Sequence, residues 1–346
     1  MSHADEIKAF LDRDFAAETA FLAELVKVPS DNPPGDCAAH AARTAELLEG
    51  LGYTVERDVV PADQAKANGM ISAVNLIVRR RFGDGPVVAL NAHGDVVPPG
   101  EGWTKDPYGA EVVDGWMYGR GVAVSKSDIA SYTWALRALE ASGAPLAGTV
   151  ELHFTYDEEA GGNIGPGRIM RKGLARRVSS VPGIGAAQMT VGLIKGGINT
   201  NVVPDRITFR LDRRMIPEER PAEVEAELRQ VVAEAAEAFP KARVEVRRIL
   251  LVEPLALLPG GERLAELLCR HATAVMGETV RSKGVPLYTD APHYASRGVP
   301  TVLYGAGPHN IEEANAHRAD ERLPLSDLRK ATEVIALTLL DLLGPH

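Results

Sequence analysis

The chain has 346 residues, 45% hydrophobic and 25% charged, with a formal net charge of -9; this is globular composition with length for two domains of roughly 150 residues. The well-mixed, acidic balance argues against a nucleic-acid binder, whose footprint is a basic face. No apolar run approaches the roughly 20 residues that span a bilayer, the start MSHADEIKAFLDRDF is no signal peptide, and Cys37 and Cys269 cannot make a disulfide framework, so a cytoplasmic protein with reduced thiols is expected.

In chain order, residues 4–27 place apolar side chains at helical spacing with Pro29 beyond them, DNPPGD is a turn, and Cys37 to Leu51 is a second helix. VNLIVRR and PVVALNAH are short apolar runs between turn residues and read as strands. Lys126 to Ser142 reads as helix and GTVELHFTY as strand, an alternation that predicts an α/β domain with helices flanking a mixed, mostly parallel sheet. After DEEAGG come a short helix around Gly165 to Leu174 and a loop, RRVSSVPGIG. The pattern then changes to strand QMTVGLI, strand RITFRLDRR, helix Ala222 to Ala238 and strand ARVEVRRIL, a small α+β unit. Helix 262–276, strand PTVLYG and helix 326–343 return to the first pattern. The expected division is a discontinuous larger domain, 1–178 and 255–346, carrying an inserted unit, 179–254.

Three short motifs carry chemistry. NAHGD puts His93 and Asp95 at a strand end, where a neutral imidazole binds a metal and a nearby carboxylate tunes it. An isolated HxD is more often a satisfied strand-end histidine; here it is followed by the longer block DVVPPGEGWTKDPYGAEVVDGWMYGRG. DEE after HFTY sets Glu158 and Glu159 at the carboxyl end of a strand, where open α/β sheets bind ligands. A metal hydrolase needs one carboxylate on the metal and another free to take a proton from water, although an acidic pair is also a common solvated turn. NAHRADERL supplies His317 late in the chain. His3, His40, His271 and His346 read as solvent-facing, His153 as structural, and His293 and His309 stay open.

Taken together, AHGDVVPPGEGW, DGWMYGRG, FTYDEEAGG, GGINTNVVPDRITFRLDRRMIP, YTDAPHYASRGVPTVLYGAGP and AHRADERL resemble, in order, the metal-dependent amidohydrolases typified by acetylornithine deacetylase, succinyl-diaminopimelate desuccinylase, aminoacylase and glutamate carboxypeptidase. The resemblance implies a zinc-peptidase-like domain carrying the site and an α+β lid that often forms a dimer interface. It also implies His93, Glu159 and His317 as metal ligands, Asp95 as the residue orienting His93, and Glu158 as general base. Asn199, Asn201, Arg213, Arg214 and Gly305 would contact substrate.

The chain departs from that pattern in three places. The aspartate that bridges two metals after the GRG turn is Val124, which cannot coordinate a cation. The first strand and helix of the lid, with a further carboxylate ligand, look missing between RRVSSVPG and QMTVGLI, and the arginine after TDA is Pro292. The expected activity is metal-dependent hydrolysis of N-acyl amino acids or small peptides, as a deacetylase, desuccinylase or carboxypeptidase would perform it. One or two zinc ions are expected, with cobalt or manganese as substitutes, and a homodimer through the lid. The alternative is a non-catalytic binding descendant, which Val124 and the short lid favour. A serine hydrolase lacks support because there is no GxSxG elbow.

Overall fold

A computed structural model describes residues 2–162, 164–171, 188–197, 204–215, 221–237, 241–252, 255, 258–284, 289–307 and 311–344. Helix α1 (His3–Val26) starts at a capping box, in which Ser2 Oγ accepts the Asp5 amide and the Asp5 carboxylate accepts the Ser2 amide. Its buried stripe, Ile7, Leu11, Leu22 and Leu25, recurs at helical spacing, and burying each such side chain stabilises the fold by about 1.5–3 kcal/mol. Helix α2 (Ala38–Gly50) leads to strand β1 (Val55–Val59), a short α3 (Ala62–Ala67) and β2 (Val74–Arg81). Next come β3 (Val87–His93), β4 (Glu111–Val113), β5 (Trp116–Tyr118), α4 (Lys126–Ala141) and β6 (Thr149–Thr155). Helix α4 packs on α1 and on β3 and β6, with Phe21 set edge-on against Trp134 at 5.1 Å.

The main sheet has the order β1-β2-β6-β3. It is mixed, but the expected parallel majority is absent among the described strands: β1 and β6 each run antiparallel to β2, and only β3 and β6 are parallel. Strand β6 has inserted between β2 and β3, which run in opposite directions, so it can match only one of them. That one parallel pair matters most. Its register sets His93 beside Thr155, so the HGD and DEE segments leave the sheet at the same edge.

The rest of the chain supplies α5 (Pro166–Arg171), β7 (Gln188–Gly196), β8 (Ile207–Arg214), α6 (Pro221–Glu237), α7 (Gly261–Met276), α8 (Ala291–Ala295), α9 (Ile311–Ala314), β9 (Arg322–Pro324) and α10 (Leu325–Leu343). Strands β7 and β8 form their own two-stranded antiparallel sheet. A third sheet, β4-β5-β9, begins with a tight hairpin whose central residues, Asp114 and Gly115, both have positive φ. It carries the GRG turn to the NAHRADERL segment by pairing Tyr118 with Arg322.

Two expected strands do not form. PTVLYG and ARVEVRRIL run without ladder partners among the described residues. One main-chain carbonyl in each accepts from a side chain: Tyr132 Oη donates to the Tyr304 carbonyl, and Arg229 Nη1 to the Val246 carbonyl. Pro292, where the resemblance expects arginine, lies in the first turn of α8, a position that suits proline. The loop RRVSSVPGIG, His309 and His346 lie outside the described residues.

Candidate metal centre

His93 ends β3 with its side chain buried. Its Nδ1–H donates to the Asp95 main-chain carbonyl at 2.8 Å, with Asp95 Oδ1 at 3.4 Å. This places a proton on Nδ1 and turns Nε2, which a neutral ring would leave free to bind a metal, toward the glutamates. Orientation of His93 thus comes from the carbonyl of Asp95 more than from its carboxylate. The Asp95 carboxylate holds the next segment: Oδ1 accepts the Glu158 amide at 3.2 Å and Oδ2 the Glu159 amide at 3.1 Å. Asn32 Nδ2 completes this arrangement by donating to Asp95 Oδ2 at 2.9 Å.

One ligand atom from each of His93, Glu158 and Glu159 falls in a group within 4.8 Å. Glu158 Oε2 lies 4.0 Å from His93 Nε2, too far for a hydrogen bond. Glu159 Oε1 is buried with no hydrogen-bond partner among the described residues, yet His317 Nε2 faces it at 3.5 Å. The donors point at one another across gaps, an arrangement that suits a cation among them. His317 reaches the trio through Glu159; its side chain is half exposed and its backbone is left-handed, φ 61°.

The charges of the cluster act strongly on one another. Burial pushes Glu158 and Glu159 each up to about 7, opposed by the charge of His93. Burial pulls His93 down, but Glu158 and Asp95, then Glu159, outweigh it and hold the imidazole well above its usual range. Burial and the Arg120 charge lower His317, favouring the neutral ring that a metal needs. Behind the trio, Asp290 is pushed up to about 7 by burial and by Glu158, although Asn91 and Thr155 donate to its Oδ2.

The 119–125 turn answers what Val124 does. No carboxylate is there, and the Ala123 and Val124 amides instead donate to Glu321 Oε1, each at 3.1 Å. Asp128 does not join the trio; it accepts from Ser125 Oγ and from the Ala306 amide.

Of the residues expected on substrate, Asn199 and Asn201 lie outside the described residues, as does the Arg214 side chain. Arg213 is half-buried on β8, opposite Met189. Gly305 is packed against Asp128, where a Cβ would stand 2.5 Å from Oδ1, and lines a cavity of about 110 Å³ with Tyr304 and Met276. His40 is not solvent-facing: it is fully buried in α2, bonded to Tyr156 Oη at 3.0 Å and to the Leu25 carbonyl at 3.1 Å. His271 is partly buried against Asp341. His153 is buried between Tyr294 and Glu151, as a structural histidine should be, and His293 contacts the Gly161 carbonyl. Asn32, Arg120 and Glu321 also hold this region together, and only the latter two stand inside recognisable blocks, GRG and ADERL.

A family profile described as Peptidase family M20/M25/M40 matches residues 89–341, most of the chain. Succinyl-diaminopimelate desuccinylase of Rhodospirillum centenum is 37% identical over 143 residues, 40% of this chain and 35% of that protein. The matched part thus spans about a third of the length of such curated relatives. Human carnosine dipeptidase 1 superposes with a TM-score of 0.74 at 13% identity, covering 98% of this chain and 99% of that one. A dinuclear metal-binding peptidase of Bacillus subtilis gives 0.60 at 18% identity, covering 97% and 99%. These structures share the fold.

Proposed function

The chain belongs to Peptidase family M20/M25/M40, and from that premise we propose that it hydrolyses an amide bond in an N-acyl amino acid or small peptide with a bound divalent cation. The observation that carries this reading is the trio of buried His93 and partly buried Glu158 and Glu159, tied together by Asp95 and facing inward without mutual hydrogen bonds. His93, Glu159 and His317 would hold the ion, and their nitrogen and oxygen donors suit zinc, with cobalt or manganese as substitutes. Bound there, such an ion supplies Lewis acidity toward the carbonyl and acidifies water. Glu158 takes the water proton and delivers it to the leaving amine; its buried carboxyl, pushed up toward neutrality, suits both halves of that task. Asp95 keeps His93 in the Nδ1–H tautomer and fixes the spacing of both glutamates.

The desuccinylase relatives and the dipeptidase-like fold support N-succinyl amino acids and dipeptides as the first substrates to try. Residues 179–254 would be the shortened lid, bringing Asn199, Asn201, Arg213 and Arg214 to substrate and pairing two chains, with Gly305 as a further substrate contact. A cytoplasmic setting is part of the same proposal; among the described residues no helix is long and apolar enough to cross a membrane.

The test is hydrolysis of a panel of N-acyl amino acids and dipeptides by zinc-loaded protein. Glu158→Gln should lower turnover by at least about 100-fold with metal content nearly unchanged, whereas Glu159→Gln should lower metal content. Equal effects of both changes on metal content would dissolve the assignment. Val124 favours the second reading, a binding protein without catalysis; tight zinc uptake with no turnover on any panel member would establish it.

A further inference from the structure

Arg120 and Glu321 form an ion pair whose side chains are 1% and 0% exposed, Nη1 to Oε2 at 2.5 Å. Replacing such a buried pair with apolar residues is often neutral or stabilising, so stability alone does not explain it. Its connections are more telling. Glu321 Oε1 takes the Ala123 and Val124 amides, and its carbonyl takes the Gly119 amide at 3.0 Å. Arg120 Nη2 donates to the Pro99 carbonyl at 3.0 Å and the Arg318 carbonyl at 3.3 Å, and the guanidinium lies 5.2 Å from the Trp103 ring centre. One pair of side chains thus fastens the loop after HGD, the GRG turn and the residue following His317.

We infer that the Arg120–Glu321 pair is a clasp that positions His317 against Glu159 and holds the 119–125 turn, where Val124 offers no carboxylate. Both are positioning residues. Neither is bonded to the trio, and they hold the backbone that follows His317, Arg120 at the Arg318 carbonyl and Glu321 through its own carbonyl. His317 needs such a hold: its side chain is half exposed, its left-handed backbone is uncommon outside glycine, and among the described residues it meets the trio at Glu159. The inference rests on the proposed role of His317 as a ligand.

The experiment measures zinc affinity of the full chain by competition with a chromophoric chelator, alongside thermal unfolding. Two variants are used: Glu321→Gln, and the double variant Arg120→Met with Glu321→Gln, which removes both charges while the amide oxygen still receives Ala123 and Val124. Outer partners of a metal ligand affect affinity by about 10–100-fold, and a loss of that size is expected in both variants. Adding His317→Ala to either should cost less than about a further twofold, although His317→Ala alone is costly, because coupled residues are not additive. A generic loss of stability would not produce that coupling.

Folded clasp variants with parental affinity would overturn the inference, as would a full additive effect of His317→Ala. Failure of both variants to fold would also overturn it, since the pair would then be a requirement of the core. A parent chain that binds no zinc defeats the proposed function and the clasp with it; a parent that binds and hydrolyses while the variants bind equally defeats the clasp alone.

Discussion

At the scale of single residues, the interior holds a titratable group that the site does not use. Glu18 is fully buried on α1, accepts a hydrogen bond from Thr332 of α10, and has Oε2 unpartnered among the described residues. Burial pushes its carboxyl up to about 8 from 4.5. Below the unfolded value both states hold the proton and Glu18 contributes nothing. Between the two values the unfolded chain releases a proton that the fold keeps, so stability falls as pH rises, by at most about 1.4 kcal/mol per unit. Glu18→Gln should therefore raise the melting temperature by several degrees near pH 9 and leave it within about one degree near pH 4. An equal shift at both values would mean that the fold does not raise the pKa of Glu18. Val124 makes a second prediction at this scale. Without a shared anion, two like cations a few ångströms apart repel, so the chain should hold one zinc ion tightly, and Val124→Asp should raise occupancy by elemental analysis. Two tightly held ions in the parent would refute this.

At the scale of elements, α1, α2, α4, α6, α7 and α10 lie within about two residues of where apolar spacing puts them, because each must bury one stripe. Strand β1 was not read: Val-Glu-Arg-Asp-Val offers few apolar positions, and Val59 is 62% exposed. PTVLYG and ARVEVRRIL mislead for the opposite reason, since apolar composition alone does not show whether a run finds a ladder partner. The motif residues of the trio were legible because each sits at a strand end in a short recognisable block. The clasp was not, because its members are 201 positions apart and only the β5–β9 pairing makes them neighbours.

One element also needs cover. Ile194 and Phe209 are cross-strand partners on the β7–β8 sheet, 74% and 57% exposed, with Val191, Leu211 and Ile207 on the same face. A contiguous apolar face of this kind marks an interface or an aggregation hazard. The chain should be dimeric by sedimentation, and Phe209→Ser with Ile194→Ser should yield a monomer of greater solubility. A parent that is a monodisperse monomer would show that this face is covered in some other way.

At the scale of the whole molecule, the candidate centre is assembled from parts far apart in the chain: His93 and Glu159 lie in its first half, and His317 and Glu321 within its last thirty residues. Closing so long a loop costs entropy that later contacts must repay, which makes distant pairings slow to form. The buried pair between positions 120 and 321 therefore carries a consequence for biosynthesis. A chain emerging from the ribosome can pair β3 with β6 and display two of the three proposed ligands, His93 and Glu159, but it lacks His317 until synthesis has reached that position. A growing chain would thus be a poor competitor for cellular metal, and capture would be deferred to the moment when the surrounding walls are in place to keep the ion.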